Sequence, residues 1–358
     1  MYRTCSGRCL PVIAVCGLLL LLTACSAANG SGPSSAQTSP STTTASTPTA
    51  TPTLPAVTVP HLTYRGNTGH VITLDWSPDG KRIVSGDTDN SAQVWDSTTG
   101  KTLLKYSGHS NEVWGVAWSP DGKRIASASG SMHTAGIDHT ARVWDANTGR
   151  TLLVYRGQIL LVTAIAWSPD GKRIATASQD STVQVWDSTT GKTLVTYQGH
   201  GASVWAIAWS PDGRRIASAS DDQTVQVWDT FTGHTLLTYH GHANKVFAVA
   251  WSHDGKRIAS AGVDNTVQVW DASTGQLLVT YRGHTSAIWV VKWSPDDKRI
   301  ASAGQDNSVQ VWNSSTGGHA FIYGGHTGIV CGLGWSPDGK RIASASYDGT
   351  VQVWQPAN

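Results

Sequence analysis

Serine, histidine and aspartate recur together along the chain, and Ser218, His200 and Asp222 form one such set. A serine activated by a histidine that a carboxylate orients is the nucleophilic system of many hydrolases. A catalytic triad normally occurs once in a chain, whereas near-complete versions of this set occur several times here. The repetition favours a structural role, and we expect no catalytic residues among these sets.

Acidic residues outside the repeated positions are the other source of acid–base chemistry. Of the 24 acidic residues, 19 recur at fixed repeat positions, which leaves Asp75, Asp87, Asp221, Asp297 and Glu112. Acid–base catalysis needs groups held at a defined separation, and no spacing among these five indicates such a pair. We therefore expect a protein that is not an enzyme, with a hydrolase as the least favoured alternative.

Imidazole and carboxylate groups occur close together at His133, Asp138 and His139, a set that could ligate a metal. Their spacing matches no strong metal motif, and Asp138 already belongs to a repeated series of aspartates. An ordinary exposed loop is the better interpretation, and we expect no metal and no cofactor.

The composition disfavours a helix-rich enzyme, because the chain has 17 Trp and 37 Gly, and Glu112 is its one glutamate. The net charge of +2 comes from Arg3 and Arg8, in a segment that we expect to be removed. The remainder is formally neutral, so the sequence offers no basic face for nucleic acid. Many short strands joined by turns are the expected elements.

Two series of tryptophans reveal seven repeats with a period of about 42 residues. The first series precedes serine and comprises Trp76, Trp118, Trp167, Trp209, Trp251, Trp293 and Trp335. The second series comprises Trp95, Trp144, Trp186, Trp228, Trp270, Trp312 and Trp354. The second repeat alone carries a seven-residue insertion, around Gly130 to Gly136.

One repeat predicts four strands, at Val204–Trp209, Arg215–Ser220, 224–228 and Thr235–Tyr239, with a Ser-Pro-Asp-Gly turn after the first. Four antiparallel strands in about 42 residues are typical of one β-propeller blade, so we predict an all-β, seven-bladed propeller. The chain ends without a seventh fourth strand, but residues 62–66 match that pattern. The N-terminal strand is therefore expected to close the last blade. The paired Lys and Arg after each turn, such as Lys172 and Arg173, suggest a solvated rim, and a binding stripe is the alternative.

The N-terminus reads as an export signal: two arginines are followed by an apolar run from Leu10 to Ala24. The run ends at Cys25 and resembles the lipobox of bacterial lipoproteins, which implies that Cys25 is lipidated after residues 1–24 are removed. A plain signal peptide and a short uncleaved anchor are the alternatives. Cys331 is the one thiol expected to remain unmodified.

Residues 26–60 contain no charged side chain and are rich in Ser, Thr, Ala and Pro, which indicates a flexible tether. Its expected reach is about 30–35 Å. We therefore divide the chain into a lipoprotein signal peptide (1–24), a lipidated cysteine with its tether (25–60) and a propeller (61–358). The expected location is extracytoplasmic, anchored by lipid to a bacterial cell membrane or outer membrane.

Gly-His dipeptides end at His109, His200, His242, His284 and His326, and Trp-Asp dipeptides end at Asp96, Asp145, Asp187, Asp229 and Asp271. With these motifs, residues 61–358 resemble the WD-repeat propellers. The Ser-Pro-Asp-Gly-Lys-Arg-Ile-Ala segment is also similar to the repeat of periplasmic Tol-type propellers, but the Trp-Asp dipeptides favour the WD-repeat family.

The resemblance implies a structural network in each blade, formed by these histidines, a serine, a turn aspartate and the second-series tryptophan. The turn aspartates are Asp89, Asp138, Asp180, Asp222, Asp264, Asp306 and Asp348. Whether Ser218 or Ser220 joins the network stays open. Asn67 and Gln158 replace histidine, so we expect two blades with a weakened network.

Trp114, Trp205 and Trp289 stand outside both tryptophan series, and Phe247 occupies the same repeat position. This position begins the innermost strand, so its copies should encircle one mouth of the central channel. The resemblance implies that the mouth is a docking surface, to which Glu112, Asp221, Lys245 and Tyr347 would also belong. The alternative is that the aromatic side chains only fill the channel wall.

These observations together predict a membrane-anchored, extracytoplasmic and monomeric scaffold that binds a protein or peptide partner through one face of the propeller. A receptor for a small ligand or a glycan, with sugar rings stacked on the aromatic rim, is the alternative.

Overall fold

The strands of this protein form seven separate antiparallel sheets of four strands each. The computed structural model describes residues 60–131 and 138–356, and within them it contains 28 strands and no helix that could span a membrane. The predicted all-β, seven-bladed propeller is confirmed. The predicted signal peptide, Cys25, nearly all of the tether and most of the insertion, with His133, lie outside the described residues.

The first four blades follow one another along the chain. Blade 1 comprises β2 (Val71–Trp76), β3 (Arg82–Asp87), β4 (Ala92–Asp96) and β5 (Thr102–Tyr106). Blade 2 comprises β6 (Val113–Trp118), β7 (Arg124–Ser129), β8 (Ala141–Asp145) and β9 (Thr151–Tyr155). Blade 3 comprises β10 (Val162–Trp167), β11 (Arg173–Ser178), β12 (Val183–Asp187) and β13 (Thr193–Tyr197). Blade 4 comprises β14 (Val204–Trp209), β15 (Arg215–Ser220), β16 (Val225–Asp229) and β17 (Thr235–Tyr239).

The remaining blades include the one that joins the two ends of the chain. Blade 5 comprises β18 (Val246–Trp251), β19 (Arg257–Gly262), β20 (Val267–Asp271) and β21 (Leu277–Tyr281). Blade 6 comprises β22 (Ile288–Trp293), β23 (Arg299–Gly304), β24 (Val309–Asn313) and β25 (Phe321–Tyr323). Blade 7 comprises β26 (Val330–Trp335), β27 (Ile342–Ser346), β28 (Val351–Trp354) and β1 (Leu62–Tyr64).

The core lies between the blades, and residue size explains how they fit. The second strand of blade 4 carries Ala217 and Ala219, which pack against Val246 and Trp251 from the first strand of blade 5. Small side chains on one blade allow the apolar first strand of the next to approach closely. The same pattern recurs in the core cluster between blades 5 and 6, so the sheets pack face to face around the channel.

The N-terminal strand closes the last blade, as the strand count predicted. Leu62 pairs with Val353 and Tyr64 pairs with Val351 in an antiparallel ladder. Tyr64 also reaches blade 1, where its ring stacks on Trp95 at 4.4 Å and its hydroxyl donates to Gln93 Oε1 at 2.6 Å. The first strand thus completes blade 7 and at the same time attaches it to blade 1.

A second set of contacts joins the blades near their turns, and it revises the predicted solvated rim. The arginine of each Lys-Arg pair lies over the first-series tryptophan of the next blade. Arg82 Cζ lies 4.6 Å from the centre of the Trp118 ring, and Arg341 Cζ lies 4.9 Å from that of Trp76. Seven such cation–π contacts close the circle, while the lysines stay exposed.

We expect Tyr64→Ala to lower the free energy of unfolding by about 3 kcal/mol, because it removes a buried ring at the closure. Tyr106→Ala is the matched control, since Tyr106 stacks on Trp144 at 4.5 Å between blades joined by continuous chain. Hydrogen exchange should rise in β1 and β28 for Tyr64→Ala alone. Equal exchange of β1 in both variants would contradict the proposed role of Tyr64 in closure.

Candidate functional site

The repeated Ser-His-Asp sets form chains of hydrogen bonds inside the blades. In blade 4, His200 Nδ1 lies 2.8 Å from Asp222 Oδ2, and His200 Nε2 lies 2.8 Å from Ser218 Oγ. The indole of Trp228 donates to the same hydroxyl at 3.2 Å. The network serine is Ser218, whereas Ser220 accepts the backbone N–H of Asp222.

Four further blades repeat this geometry. Their sets are His109–Ser127–Asp138–Trp144, His242–Ser260–Asp264–Trp270, His284–Ser302–Asp306–Trp312 and His326–Ser344–Asp348–Trp354. Burial opposes ionisation of Asp264 and is the largest single influence, but the hydrogen bonds from His242 and Thr266 and the charge interaction with His242 together outweigh it and lower the pKa of Asp264 to about 2. Asp264 therefore stays charged at neutral pH.

These sets have the composition of a triad but not its accessibility. Ser218 is fully buried and His200 is 6% exposed, so no substrate carbonyl can approach the hydroxyl. A nucleophile needs a neighbouring space in which the reacting atom can lie. The geometry fits a rigid link between turn and sheet.

The two blades that lack the histidine differ from each other. In blade 1 the Asn67 amide donates to Asp87 Oδ2 at 2.7 Å, and its oxygen accepts from Ser85 Oγ at 2.9 Å. A neighbouring carboxylate thus restores the network there, with Asp89 beside it as an acceptor for the Ser91 N–H.

Blade 3 carries the weaker network. Gln158 Nε2 donates to the Thr176 carbonyl at 2.9 Å, but its buried Oε1 has no hydrogen-bond partner in the described part of the chain. Asp180 is reached by the backbone N–H of Ile159 at 3.2 Å instead of by a side chain from the histidine position. The expected weakening thus fits blade 3 but not blade 1.

The end of the propeller opposite the Ser-Pro-Asp-Gly turns is here called the mouth face. It consists of loops 65–70, 107–112, 156–161, 198–203, 240–245, 282–287 and 324–329, of turns 87–91, 178–182, 220–224, 262–266, 304–308 and 346–350, and of the described residues 129–131 and 138–140. First strands begin at this face and run towards the opposite turns. The aromatic position, one residue into each first strand, therefore lies at the channel mouth.

Three of the four aromatic side chains at the mouth pack on one another. Phe247 stacks on Trp289 with ring centres 4.4 Å apart, and Trp205 meets both rings edge-on at 5.6 and 6.3 Å. Trp114, in blade 2, is 8% exposed. The sequence predicted a partial ring, and the structure places a compact aromatic cluster from blades 4, 5 and 6 at one side of the channel.

Charged residues extend this cluster outward. Asp221 Oδ1 accepts from the Trp205 indole at 2.7 Å, and Asp221 Oδ2 lies 2.9 Å from Lys245 Nζ. The indole and ammonium groups thus fix one carboxylate between blades 4 and 5. Five of the predicted partner-binding residues belong to this assembly: Trp205, Asp221, Lys245, Phe247 and Trp289.

The other predicted residues lie elsewhere on the mouth face. Tyr347 of blade 7 stacks on His70 of blade 1 with ring centres 4.9 Å apart, and Glu112 lies in the loop before β6. Sequence reasoning did not select His70, whose role depends on a ring contact across the closure.

Sequence reasoning also missed an apolar pair on blade 3. Ile159 is 76% exposed and Leu160 is 44% exposed, at positions that are small or polar in the other six blades. The signal was present, because both follow Gln158, which was noted only as a departure from histidine.

Two of the acids outside the repeated positions have local structural roles. His253 replaces the turn proline of blade 5 and so regains a backbone N–H, which donates to Asp297 Oδ1 at 2.9 Å. The His253 ring lies 2.9 Å from the same oxygen, so Asp297 links blades 5 and 6. Asp87, buried beside Asn67, has its pKa raised chiefly by burial.

Asp75 is the acid that faces the channel wall. Its Oδ2 accepts the backbone N–H of Trp118 at 2.8 Å, and Lys292 contributes a favourable charge. Burial nevertheless dominates and raises the pKa of Asp75 to about 6. The carboxyl therefore gains its charge near neutral pH.

No group of three or more potential metal ligands occurs in residues 60–131 and 138–356. Asp138, one member of the set considered for metal binding, accepts hydrogen bonds from the backbone N–H of Ser110 and is held by His109.

The family model described as WD domain, G-beta repeat matches this chain seven times. The matches cover residues 58–96, 100–145, 149–187, 191–229, 233–271, 275–313 and 317–355. The chain belongs to the WD-repeat family, whose propellers generally serve as protein-interaction scaffolds and are typically not catalytic.

A stretch of 39 residues is 41% identical to Protein HIRA of Zea mays. The stretch represents 11% of this chain and 4% of that protein, which is about the length of one repeat. The similarity to that protein therefore concerns a single repeat.

The raised pKa of Asp75 has a consequence for stability. A carboxyl whose pKa rises on folding favours the folded state fully below its unfolded value of 3.8 and loses that contribution as the pH rises through about 6. Asp75→Asn should therefore gain about 2 kcal/mol relative to the native protein between pH 4 and pH 8, measured by urea unfolding.

Asp264→Asn is the control for this measurement. The pKa of Asp264 lies at about 2, so that variant should be destabilised to a similar extent at both pH values. A pH-independent effect of Asp75→Asn would contradict the burial of an ionisable carboxyl in the channel wall.

Proposed function

We propose that this protein is a lipid-anchored, extracytoplasmic scaffold that binds a protein or peptide partner at the mouth face. The observation that carries the proposal is the contrast between framework and mouth. Positions in the hydrogen-bond networks and the core repeat from blade to blade, whereas the chemistry of the mouth residues varies between blades. Variable side chains on a rigid framework are typical of recognition surfaces.

The mouth combines features common in protein interfaces. The aromatic cluster of Trp205, Phe247 and Trp289 supplies a partly exposed apolar floor, and the Asp221–Lys245 pair supplies a charged edge. Aromatic side chains surrounded by polar groups provide most of the binding energy in many interfaces. Ile159 and Leu160 extend the apolar surface on the neighbouring blade 3.

The same packing favours a protein partner over a sugar. A glycan receptor stacks sugar rings on open aromatic faces, but here Phe247 and Trp289 stack on each other. One face of each of these rings is therefore already covered, which leaves less open aromatic surface for a sugar ring.

The anchor rests on the N-terminal residues. A basic start, an apolar run and Cys25 directly after Ala24 have the order of a lipoprotein signal, and an uncharged segment of 35 residues follows before the propeller.

Removing the charged pair tests the mouth. Asp221→Ala with Lys245→Ala leaves no orphan charge, and it should reduce partner labelling about tenfold in a proximity-labelling experiment, with unfolding nearly unchanged. Lys101→Ala with Lys192→Ala, at the opposite end of the propeller, is the control. A partner profile that is identical in both variants would refute the proposed site.

Replacing the aromatic residues separates docking from packing. Trp114→Ala, Trp205→Ala and Trp289→Ala should each cost about 3 kcal/mol in stability. Under the proposal, Trp205→Ala and Trp289→Ala also weaken partner labelling at temperatures below the unfolding midpoint of each variant, where the variant is still folded. If the folded fraction of both variants labels the partner fully, these residues serve packing alone. Quenching of the tryptophan fluorescence of the native protein by sugars would favour the glycan receptor instead.

Substitution of the lipidation site tests the anchor. In a detergent phase-separation experiment, Cys25→Ser should move the protein from the detergent phase to the aqueous phase, because the acyl chains supply the membrane affinity. Cys9→Ser, within the segment expected to be removed, should leave partitioning unchanged. Detergent-phase recovery of Cys25→Ser would show that another element holds the protein at the membrane.

A further inference from the structure

The end of the propeller opposite the mouth face is here called the turn face. It consists of the turns 77–82, 119–124, 168–173, 210–215, 252–257, 294–299 and 336–341 and the loops 96–101, 145–150, 187–192, 229–234, 271–276 and 313–318. Both sets of connections join strand ends on the same side, because each blade is antiparallel.

The topology sorts the charges of a nearly neutral chain onto two opposite faces. The turn face carries 17 Lys and Arg side chains and 13 Asp side chains. The mouth face carries four Lys and Arg side chains and ten acidic side chains. Overall neutrality, which the sequence interpretation used to exclude a basic face, therefore conceals a separation of charge. The turn face is positive and the mouth face is negative.

The exposed cations of the turn face outnumber its exposed acids, by ten to seven. The aspartate of each Ser-Pro-Asp-Gly-type turn is held by its own turn. Asp79 Oδ1, for example, accepts hydrogen bonds from Ser77 Oγ at 2.6 Å and from the Lys81 N–H at 3.1 Å. Each lysine carries its ammonium group at the end of a flexible stem, whereas these carboxylates are short and held by their own turns. Ten exposed cations are arranged in this way: Lys81, Lys101, Lys123, Arg150, Lys172, Lys192, Arg214, Lys256, Lys298 and Lys340.

Apolar side chains accompany these cations. Phe231 is 64% exposed in loop 229–234, at a position occupied by Thr, Asn or Ser in the other loops. Exposed leucines stand at the second residue of five consecutive fourth strands, which begin at the turn face: Leu103, Leu152, Leu194, Leu236 and Leu278. Basic groups with aromatic and aliphatic neighbours are the composition of surfaces that bind at lipid headgroups.

The chain also reaches the propeller at this face. Leu62, the first residue of β1, lies against loop 96–101, where a Cβ on Gly100 would be 3.0 Å from Leu62 Cδ1. The chain therefore enters β1 at the edge of the turn face. The segment expected to carry the anchor precedes this point in the sequence, so the propeller is connected to it at the basic face rather than at the mouth face.

From these observations we infer that the turn face docks on the anionic phospholipid surface of the membrane, so that the mouth face points away from the bilayer. The inference rests on the proposed lipid anchor and adds an orientation to it. The short tether keeps the basic face at a high local concentration near the headgroups, so weak contacts are sufficient.

Amine labelling of the protein in vesicles tests this orientation. The full-length product, isolated from its producing cells in detergent, is reconstituted in phosphatidylcholine vesicles with or without about 30% phosphatidylglycerol. Acylation of Lys81, Lys123, Lys172, Lys298 and Lys340 should be about fivefold slower with the anionic lipid and recover in about 0.5 M salt, which screens the attraction. Lys245 on the mouth face is the internal reference.

Variants separate charge from proximity. Lys81→Gln, Lys123→Gln, Lys172→Gln, Lys298→Gln and Lys340→Gln are combined in one protein, and the same five positions are changed to Arg in its control. Protection of Lys101 and Lys256 should be lost in the Gln protein and kept in the Arg protein. The five lysines are exposed, so both proteins should unfold like the native one.

The outcomes distinguish the docking from the anchor. Retention on both kinds of vesicle with equal labelling of the two faces would overturn the docking and leave the anchor intact. Retention on anionic vesicles alone, with the turn face protected, would overturn the anchor and support the docking. Failure to bind either kind of vesicle would overturn both the anchor and the docking. Equal protection of the turn face on neutral vesicles would assign the protection to the tether and overturn the docking.

Discussion

Each blade of this propeller is completed by its neighbour, and the structure depends on that constraint. A tyrosine from one blade stacks on the fully buried tryptophan of the next, as Tyr197 does on Trp228 at 4.5 Å. An arginine from one blade likewise covers a tryptophan of the next. No blade has a complete core alone, so a circle without free ends is the arrangement that satisfies all seven.

The closure explains why the sequence repeat and the structural blade are out of phase. Each family match begins with or just before a fourth strand and ends after a third one, so it straddles two blades. The shift by one strand makes β1 part of blade 7, where Leu62 pairs with Val353. Tyr64 then contacts blade 1, so one short strand joins the two ends of the chain through both a ladder and an aromatic stack.

The fold was predictable from sequence because its causes are local and repeated. Turn residues, alternating apolar positions and two tryptophan series recur with a fixed period, so each repeat independently predicts the same four strands. Even the closing strand could be found, since Tyr64 and its neighbours match an internal pattern. The third strand differed by one residue, Val225–Asp229 rather than 224–228, because its ladder begins after the aspartate turn.

The functional surfaces were less predictable because they depend on contacts between repeats. The repeat position placed Trp205, Phe247 and Trp289 at one mouth, but only the geometry shows that they pack together rather than form a ring. The stack of His70 on Tyr347 joins residues 277 positions apart, and no periodic signal connects them.

The distribution of charge over the two faces also could not be predicted from a single repeat. Each repeat supplies one aspartate and two cations at the first turn and a further aspartate after the second strand, so a count along the chain averages to about zero. Antiparallel strands then send those two connections to opposite ends of every blade, and seven copies add in phase around the circle. A pattern that is neutral in one repeat thus becomes a separation of charge across the whole propeller, with a basic end where Leu62 begins the first strand. Any partner at the acidic mouth and any surface at the basic turns would accordingly be selected by opposite charge, which gives one small domain two faces of distinct chemistry.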